Sequence, residues 1–423
     1  MLHVHHSNRL ERLADRLCEL IAVPAGPVLT PETLVVPNAG MARWLSLAVA
    51  QRLGVAANLD CVFPASFVWR VLRAQDPSLP ALAPAEQGPL LFGLLAAFAA
   101  PDRPAEIDRY LAADDGLKAF QLARRLADCY ERYQLFRPDW LAAWEAGADA
   151  GWDARLWRTL AAGRPHQGRL LLDLLERARA GRLVGAGLPA RLSVFGLSAL
   201  APAYLALLQA LAMASEVHLY VPDPCAGFWH DLQTPRALAR RRRWAVQALG
   251  AASVDDAPGG HPLLAAWGQA GRAFVAQLLD CAAIESEDYD DPGDGSLLRR
   301  LQRDLLLLEP PRPVAVAPDD RSVEVHVCHS RLREVQVLHD RLLGLFEAHP
   351  GLTPRDCVVM APDIDAYAPH IAAVFDSAPA GRRIPYAIAD RAPRAERALA
   401  AAFLELLDLP QSRLPASQVL SLL

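Results

Sequence analysis

Short strand-like segments, all but the last carrying valine, punctuate the chain: LHVHHS (2–7), TLVVP (33–37), LSVFGL (192–197), EVHLYVP (216–222), VEVHVC (323–328), CVVMAPD (357–363) and PYAIA (in the 384–388 region). Most are flanked by stretches of helical period. One is NRLERLADRLCEL, which sets Leu10, Leu13, Leu17 and Leu20 on one face. Strands that alternate with helices predict an α/β fold, a parallel sheet covered on both faces. Between Ala81 and Gly187 the strand pattern stops, and LLFGLLAAF, KAFQLARRLADCYERYQLF and GRLLLDLLERARA read as helix after helix. The expected organisation is a first α/β domain made of 1–80 and 188–308, an all-helical insertion at 81–187, and the start of a second α/β domain at 309–423. Two turn-rich breaks, ESEDYDDPGDG (285–295) and EPPRPVAVAPDD (309–320), fall near that boundary. No internal repeat is evident. The chain ends on a helical SQVLSLL with no closing strand, which suggests a piece of a longer protein.

The first strand runs into its helix through HSNRLE (6–11), where a nucleotide-binding α/β protein would carry a glycine-rich phosphate loop. Asn8 and Glu11 instead read as an ordinary N-cap and capping box. A phosphate loop needs Gly-Lys-Ser/Thr, because backbone N–H groups cradle the phosphates while lysine and hydroxyl serve the terminal phosphate and magnesium. Lys118 is the chain's single lysine and is followed by Ala119. The segment LSVFGLSALAP offers Gly196, Leu197 and Ser198 where magnesium-organising acids would stand. In DDGLKAF, Asp114 and Asp115 lack the spacing of an Asp…Glu-x-Lys nuclease, and a solvated helix start explains them better. Ser198 lacks the second glycine of a nucleophile elbow. On an alternating strand His3 and His5 share a face and His6 points away, with no acid nearby in sequence, so a structural role is expected rather than a metal site.

A charge of −5 excludes a uniformly basic nucleic-acid binder but leaves room for a local positive groove. Of 43 basic residues all but Lys118 are arginine, as a GC-rich coding sequence would give with or without selection for bidentate contacts. Seven cysteines (Cys18, Cys61, Cys129, Cys225, Cys281, Cys328, Cys357) form no CxxC pair, which fits a reducing cytoplasm better than disulfides or zinc. The longest apolar run, Leu90 to Ala100, is too short to span a bilayer, and no basic-then-apolar leader opens the chain.

Arginine and aromatic residues interleave in three places. ASFVWRVLR sets Trp69 beside Arg70 and Arg73; ADCYERYQLFRPDW mixes Tyr130, Tyr133, Phe136 and Trp140 with Arg132 and Arg137; RALARRRRWA sets Arg240 to Arg243 before Trp244. Aromatic faces stack on bases and arginines hold phosphates or base edges, the chemistry of a single-strand track. Helical aromatics are also common core residues, and arginine runs are also solvated faces.

Longer strings point further: HSNRLERLADRL, GMARWLSLAVAQRLGVAANLDCVFPASFVW, LFRPDWL, VFGLSALAPAYLALLQAL, HPLLAAWGQAGR, VHVCHSRLREVQVLHDRLLGLFE and TPRDCVVMAPDIDAYAPHIAAVF. Together they resemble, collinearly and from the first residue to the last, the N-terminal part of the gamma subunit of bacterial exodeoxyribonuclease V, the RecC family. The resemblance implies a Rep/UvrD-type helicase-like fold that has lost its ATP site. It implies a subunit that is not itself an enzyme and has no cofactor, in a complex where RecB-type and RecD-type partners use ATP and magnesium. Such a subunit handles single-stranded and forked DNA in the cytoplasm and scans the 3′ strand for the recombination hotspot Chi; a pure assembly scaffold is the alternative. Trp69, Asp128 and Arg137 match the family's scanning positions. Pro37, Ala39, Arg43, Arg132 and Gln167 depart from the pattern, as do Phe63, Cys129 and Glu131. Asn38, Arg43, Phe63, Arg132 and Gln167 complete the expected DNA-binding set. The departures imply a different octamer, or none, because base reading needs donors and acceptors placed against the base edge.

Overall fold

The computed structural model describes residues 1–27, 29–81, 83, 87–112, 116–149, 151–163, 165–183, 188–232, 234, 239–240, 260–389 and 398–409. They form two compact units, Met1–Asp320 and Arg321–Leu423. The first unit thus includes the proline-rich 309–320 stretch. One physical reason is Asp320, whose carboxylate accepts from the backbone N–H of Leu297 (2.7 Å) at the head of the helix Leu297–Leu306.

In the first unit β1 (Leu2–Ser7), β2 (Glu32–Val35), β3 (Leu59–Val62), β4 (Arg191–Phe195), β5 (Glu216–Pro222) and β6 (Ile284–Glu287) make one parallel sheet in the order β3-β2-β4-β5-β1-β6. Alternation divides its faces. Leu2, Val4, Val35, Leu192, Val194, Val217 and Leu219 pack under α3 (Pro64–Gln75), α9 (Gln167–Arg179) and α10 (Pro202–Leu211). On the other face Leu34, Phe195 and Tyr220 meet Leu13 and Leu17 of α1 (Leu10–Ile21) and Leu45 of α2 (Ala39–Leu53). At the amino edge the buried Arg191 donates to the Leu20 and Val23 carbonyls (3.1 and 2.9 Å) and pairs with Glu32, tying β4 to β2.

Two strands escaped the sequence reading. β3 (LDCV) and β6 (IESE) are four-residue edge strands, each paired on one side only. The acidic stretch at 285–295, expected to be a break, therefore begins inside the sheet.

Within 81–187 every regular element among the described residues is a helix: α4 (Gln87–Ala99), α5 (Ala105–Leu111), α6 (Leu117–Phe136), α7 (Pro138–Glu145), α8 (Trp152–Ala161) and α9. Leu94, Phe98, Ala127, Tyr130, Leu141, Trp144 and Trp157 give this region a core of its own. Tyr130 donates to the Asp153 carbonyl (2.8 Å) and Trp157 to Glu145 (2.9 Å). α9 departs from that core, because its Leu171, Leu174 and Leu175 belong to the sheet-side cluster. Its head is close-packed on α6: a Cβ at Gly168 would lie 3.2 Å from Cα of the buried Gln134, so glycine is the residue that fits.

A polar ladder lies on the α1 side of the sheet. His3 and His5 share that face with His218 and Tyr220, and the His3 and His218 rings stack at 4.6 Å. His5 Nδ1 lies 2.6 Å from Ser286 Oγ, and its Nε2 lies 3.0 Å from His218 Nδ1. Burial, with His218 adding to it, pushes the His5 pKa from 6.5 down to about 4. Burial lowers His218 as well. The folded chain therefore holds these imidazoles neutral in a pH range where the unfolded chain takes up protons. Stability is full above pH 6.5 and falls as the pH drops towards about 4. Denaturant midpoints measured across that range should show the loss. A His5→Asn variant should show a shallower slope, and an equal slope would contradict the assignment.

The second unit contains the helices Arg331–Ala348, Ile364–Phe375 and Ala398–Asp408, with Val335, Phe375 and Ile384 packed together. The strands expected at 323–328, 357–363 and 384–388 carry no ladder among the described residues. The alternating Val323, Val325 and Val327 and the adjacent Val358 and Val359 meet the propensity for a strand, but a strand also needs a neighbour for its N–H and C=O groups. Val325, Val327 and Met360 are instead exposed. The SQVLSLL segment lies outside the described residues.

Candidate nucleic-acid interface

Ligands of open α/β sheets collect at the carboxyl ends of the strands, so the end of β1 is the first place to look. Ser7 Oγ donates to the Asp288 carbonyl (2.6 Å), and Asn8 makes two bonds with the Asp290 backbone (2.8 and 2.9 Å). Arg9 pairs with the Asp290 carboxylate (3.1 Å). The expected capping role of Asn8 is thereby corrected: Arg9 occupies the N-cap of α1 without a side-chain cap, because the Asn8 amide is turned towards 290. Asp223 lies against the same edge, 3.3 Å from His6 Nδ1, and accepts from the Trp229 indole (3.0 Å). Carboxylates and a filled hydrogen-bond clasp thus stand where a phosphate loop would offer open N–H groups.

At the carboxyl ends of β2 and β3, Asn38 and Phe63 precede their helices. The Asn38 side chain accepts from Met41 N (2.9 Å) and caps α2. Phe63 is exposed at the head of α3, and Arg43 is exposed one turn into α2. Val35 and Val62 are register partners, so Asn38 and Phe63 end neighbouring strands on one edge, with Pro37 and Ala39 flanking Asn38.

Trp69 sits elsewhere. It is 5% exposed within the sheet-side core, and its indole N–H donates to the Pro80 carbonyl (3.1 Å). A buried ring with protein around it has no open face for a base, so the geometry fits the core reading of this tryptophan.

The remaining expected residues belong to the helical region. Asp128 on α6 is half-buried and accepts from Gln87 (2.6 Å). Arg132, four residues on and on the same helix face, is exposed, as is Cys129; Glu131 is half-buried. Gln167 opens α9 beside Gly168, whose backbone N–H donates to Gln134 Oε1 of α6 (3.3 Å). The fold therefore gathers Asp128, Arg132, Gln167 and Arg137 along α6 and its end.

Arg137 is the joint between α6 and α7, with φ −141° and ψ 51°, since Pro138 disfavours a helical conformation before it. Its guanidinium makes two parallel bonds to Asp139, Nε–Oδ1 3.1 Å and Nη2–Oδ2 3.0 Å, and lies 3.7 Å from the Trp140 ring centroid. The pair holds the Asp139 carboxyl below its usual range and raises Arg137. Asp139 was missed by sequence reasoning, though Arg-Pro-Asp-Trp carries the signal: the proline frees the arginine from the helix, and the next turn returns an acid and an aromatic beneath it. Arg241 to Arg243 and Trp244 lie outside the described residues, as do Asp114 and Asp115.

His3, Glu216 and His218 place ligand atoms within 4.8 Å of one another, a grouping that sequence spacing could not reveal. The His3 and His218 rings are within 7° of parallel, so their in-plane lone pairs do not converge on one ion, and the grouping reads as part of the ladder. Among the described residues no helix is long and apolar enough to cross a membrane.

The family model for the RecC N-terminal domain matches residues 2–308. The chain is 38% identical to the RecBCD enzyme subunit RecC of Escherichia coli (strain K12), over all of this chain and 42% of that protein. It is 31% identical to the subunit of the same name from Haemophilus influenzae, over all of this chain and 44% of that protein. For Mycobacterium tuberculosis the figures are 33%, all of this chain, and 40% of the relative. The chain thus spans about two fifths of the length of these relatives. With most of its length under the family model, this chain belongs to the RecC family.

Proposed function

We propose that this chain is the DNA-handling part of a RecBCD-type helicase–nuclease in double-strand break repair. In this reading it is non-catalytic, takes no cofactor and works in the cytoplasm. RecB-type and RecD-type subunits supply ATP hydrolysis and nuclease chemistry, and this chain guides the separated 3′ strand and inspects it for Chi. Its sheet, helical insertion and second unit are read as a Rep/UvrD-type motor whose nucleotide site has been given up. The observation that carries the reading is the end of α6, where Arg137 and Trp140 present an exposed fork and ring in line with Arg132 and Phe136. The clasp at the end of β1 supports the loss of ATP binding, because the Asp223 and Asp290 carboxylates and the Asp288 carbonyl stand where phosphate would lie.

An assembly scaffold is the second reading. It is favoured by the internal pairing of both Arg137 and Asp128, which a chain that never met DNA would also show. Titration of the 423-residue chain against a fluorescent single-stranded oligonucleotide at several salt concentrations separates the two. DNA handling predicts binding whose log affinity falls by about 0.7 per phosphate contact for each decade of salt, unchanged by magnesium-ATP. Absence of binding at low salt would favour the scaffold, and magnesium-dependent ATP turnover would overturn both readings.

A further inference from the structure

The Arg137 fork is already filled. Asp139 offers it two oxygens, and the guanidinium carbon lies 3.7 Å from the centre of the Trp140 ring, which Tyr133 meets edge-on at 5.8 Å. All three groups of this stack reach solvent: the Arg137 and Asp139 side chains are 43% and 62% exposed, and Trp140 is 41% exposed. A planar fork backed by an aromatic ring accepts any group that presents two acceptors side by side. Guanine does so with O6 and N7, and a phosphate does so with two of its oxygens. A carboxylate in the same fork is the protein's own version of that ligand. The pair also costs little to open, because exposed ion pairs are weak and screened.

We infer that Asp139 is an internal competitor for Arg137, displaced when a single-stranded DNA group with two adjacent acceptors takes the fork, and that Trp140 is the platform that holds the fork and stacks the neighbouring base. This rests on the DNA-handling reading and adds two residues to it. Asp139 sets the threshold for binding and Trp140 supplies the stacking surface. Removing the competitor should tighten binding, an outcome unusual for a substitution beside a binding residue.

The experiment compares the 423-residue wild-type chain with Asp139→Asn, Trp140→Ala, Trp140→Phe and the double variant Arg137→Ala/Asp139→Asn. The probes are an oligothymidine and a guanine-containing oligonucleotide of equal length. Asp139→Asn keeps an acceptor at the head of α7 but gives up the charge, and at low salt it should bind roughly fivefold more tightly. Trp140→Ala should bind roughly tenfold more weakly, with most of the loss restored in Trp140→Phe. The gain of Asp139→Asn should vanish in the double variant; a gain that persists would mark general charge removal and overturn the competition. Equal tightening on both probes identifies phosphate as the displacing group, and tightening confined to the guanine probe identifies the base edge; either supports the inference. Wild-type binding that Asp139→Asn leaves unchanged or weakens overturns it while leaving the DNA-handling reading intact. Failure of the wild-type chain to bind either probe removes that reading itself. Thermal midpoints of all variants, expected to match wild type, keep affinity separate from folding.

Discussion

Trp69→Ala is expected to destabilise the first unit by about 3–5 kcal/mol, the usual cost of emptying a buried large aromatic site. Trp69 packs among Phe67, Val68, Val71 and Leu72 of its own helix and the leucines of α9 that bind the helical region to the sheet. Its loss leaves a void at that junction and strips the Pro80 carbonyl of its donor. Against a whole-domain stability of roughly 5–15 kcal/mol, such a cost is enough to leave much of the protein unfolded at physiological temperature. Trp69→Phe keeps most of the apolar volume and should lose only about 1 kcal/mol from the missing hydrogen bond. Urea denaturation followed by circular dichroism gives both values. A Trp69→Ala chain with an unchanged midpoint and weakened oligonucleotide binding would instead make this ring a base platform.

The two readings of Trp69 show where sequence reasoning reaches its limit. In PASFVWRVLRAQ the tryptophan stands beside an arginine, so composition alone suits either a stacking track or a core. Which it is depends on α9, a hundred residues further along the chain, arriving over that face. The strands that were legible, β1, β2, β4 and β5, each supply apolar residues to the face under α3, α9 and α10, so their alternation survives in the sequence. β6 was not legible because Ile284, Glu285 and Glu287 are exposed and its order comes from backbone pairing with His3 to His6. Asn8 fooled the capping rule for the same reason, since its partner is the backbone of Asp290 and no local signal encodes that. At the site, the resemblance to the RecC family selected the residues and the local rules explained only some. The proline after Arg137 does free its side chain, whereas the Gly168–Gln134 contact that brings Gln167 to α6 is tertiary.

On the DNA-handling reading proposed above, Arg137→Ala, reconstituted with RecB-type and RecD-type subunits, is expected to leave unwinding at wild-type rate while abolishing any change of behaviour at a hotspot sequence. Unwinding draws on the motors and on phosphate contacts spread over many residues, so one exposed arginine contributes little to it. Recognition draws on a few bidentate contacts, each worth about 1–3 kcal/mol of discrimination, so deleting one lowers selectivity by roughly 5- to 150-fold and brings the hotspot level with other sequences. Folding should be spared, because the Arg137–Asp139 pair is exposed and its backbone role at the α6–α7 joint does not need the guanidinium. Arg137→Lys is the sharper arm: it keeps the charge but loses the planar fork, so it should retain oligonucleotide binding and still fail at the hotspot. Unwinding rate and hotspot response read on the same preparations decide the matter. Loss of both would assign Arg137 to assembly, and retention of both would move sequence reading to other residues, with Asn38, Arg43 and Phe63 at the carboxyl edge of the sheet the next to substitute.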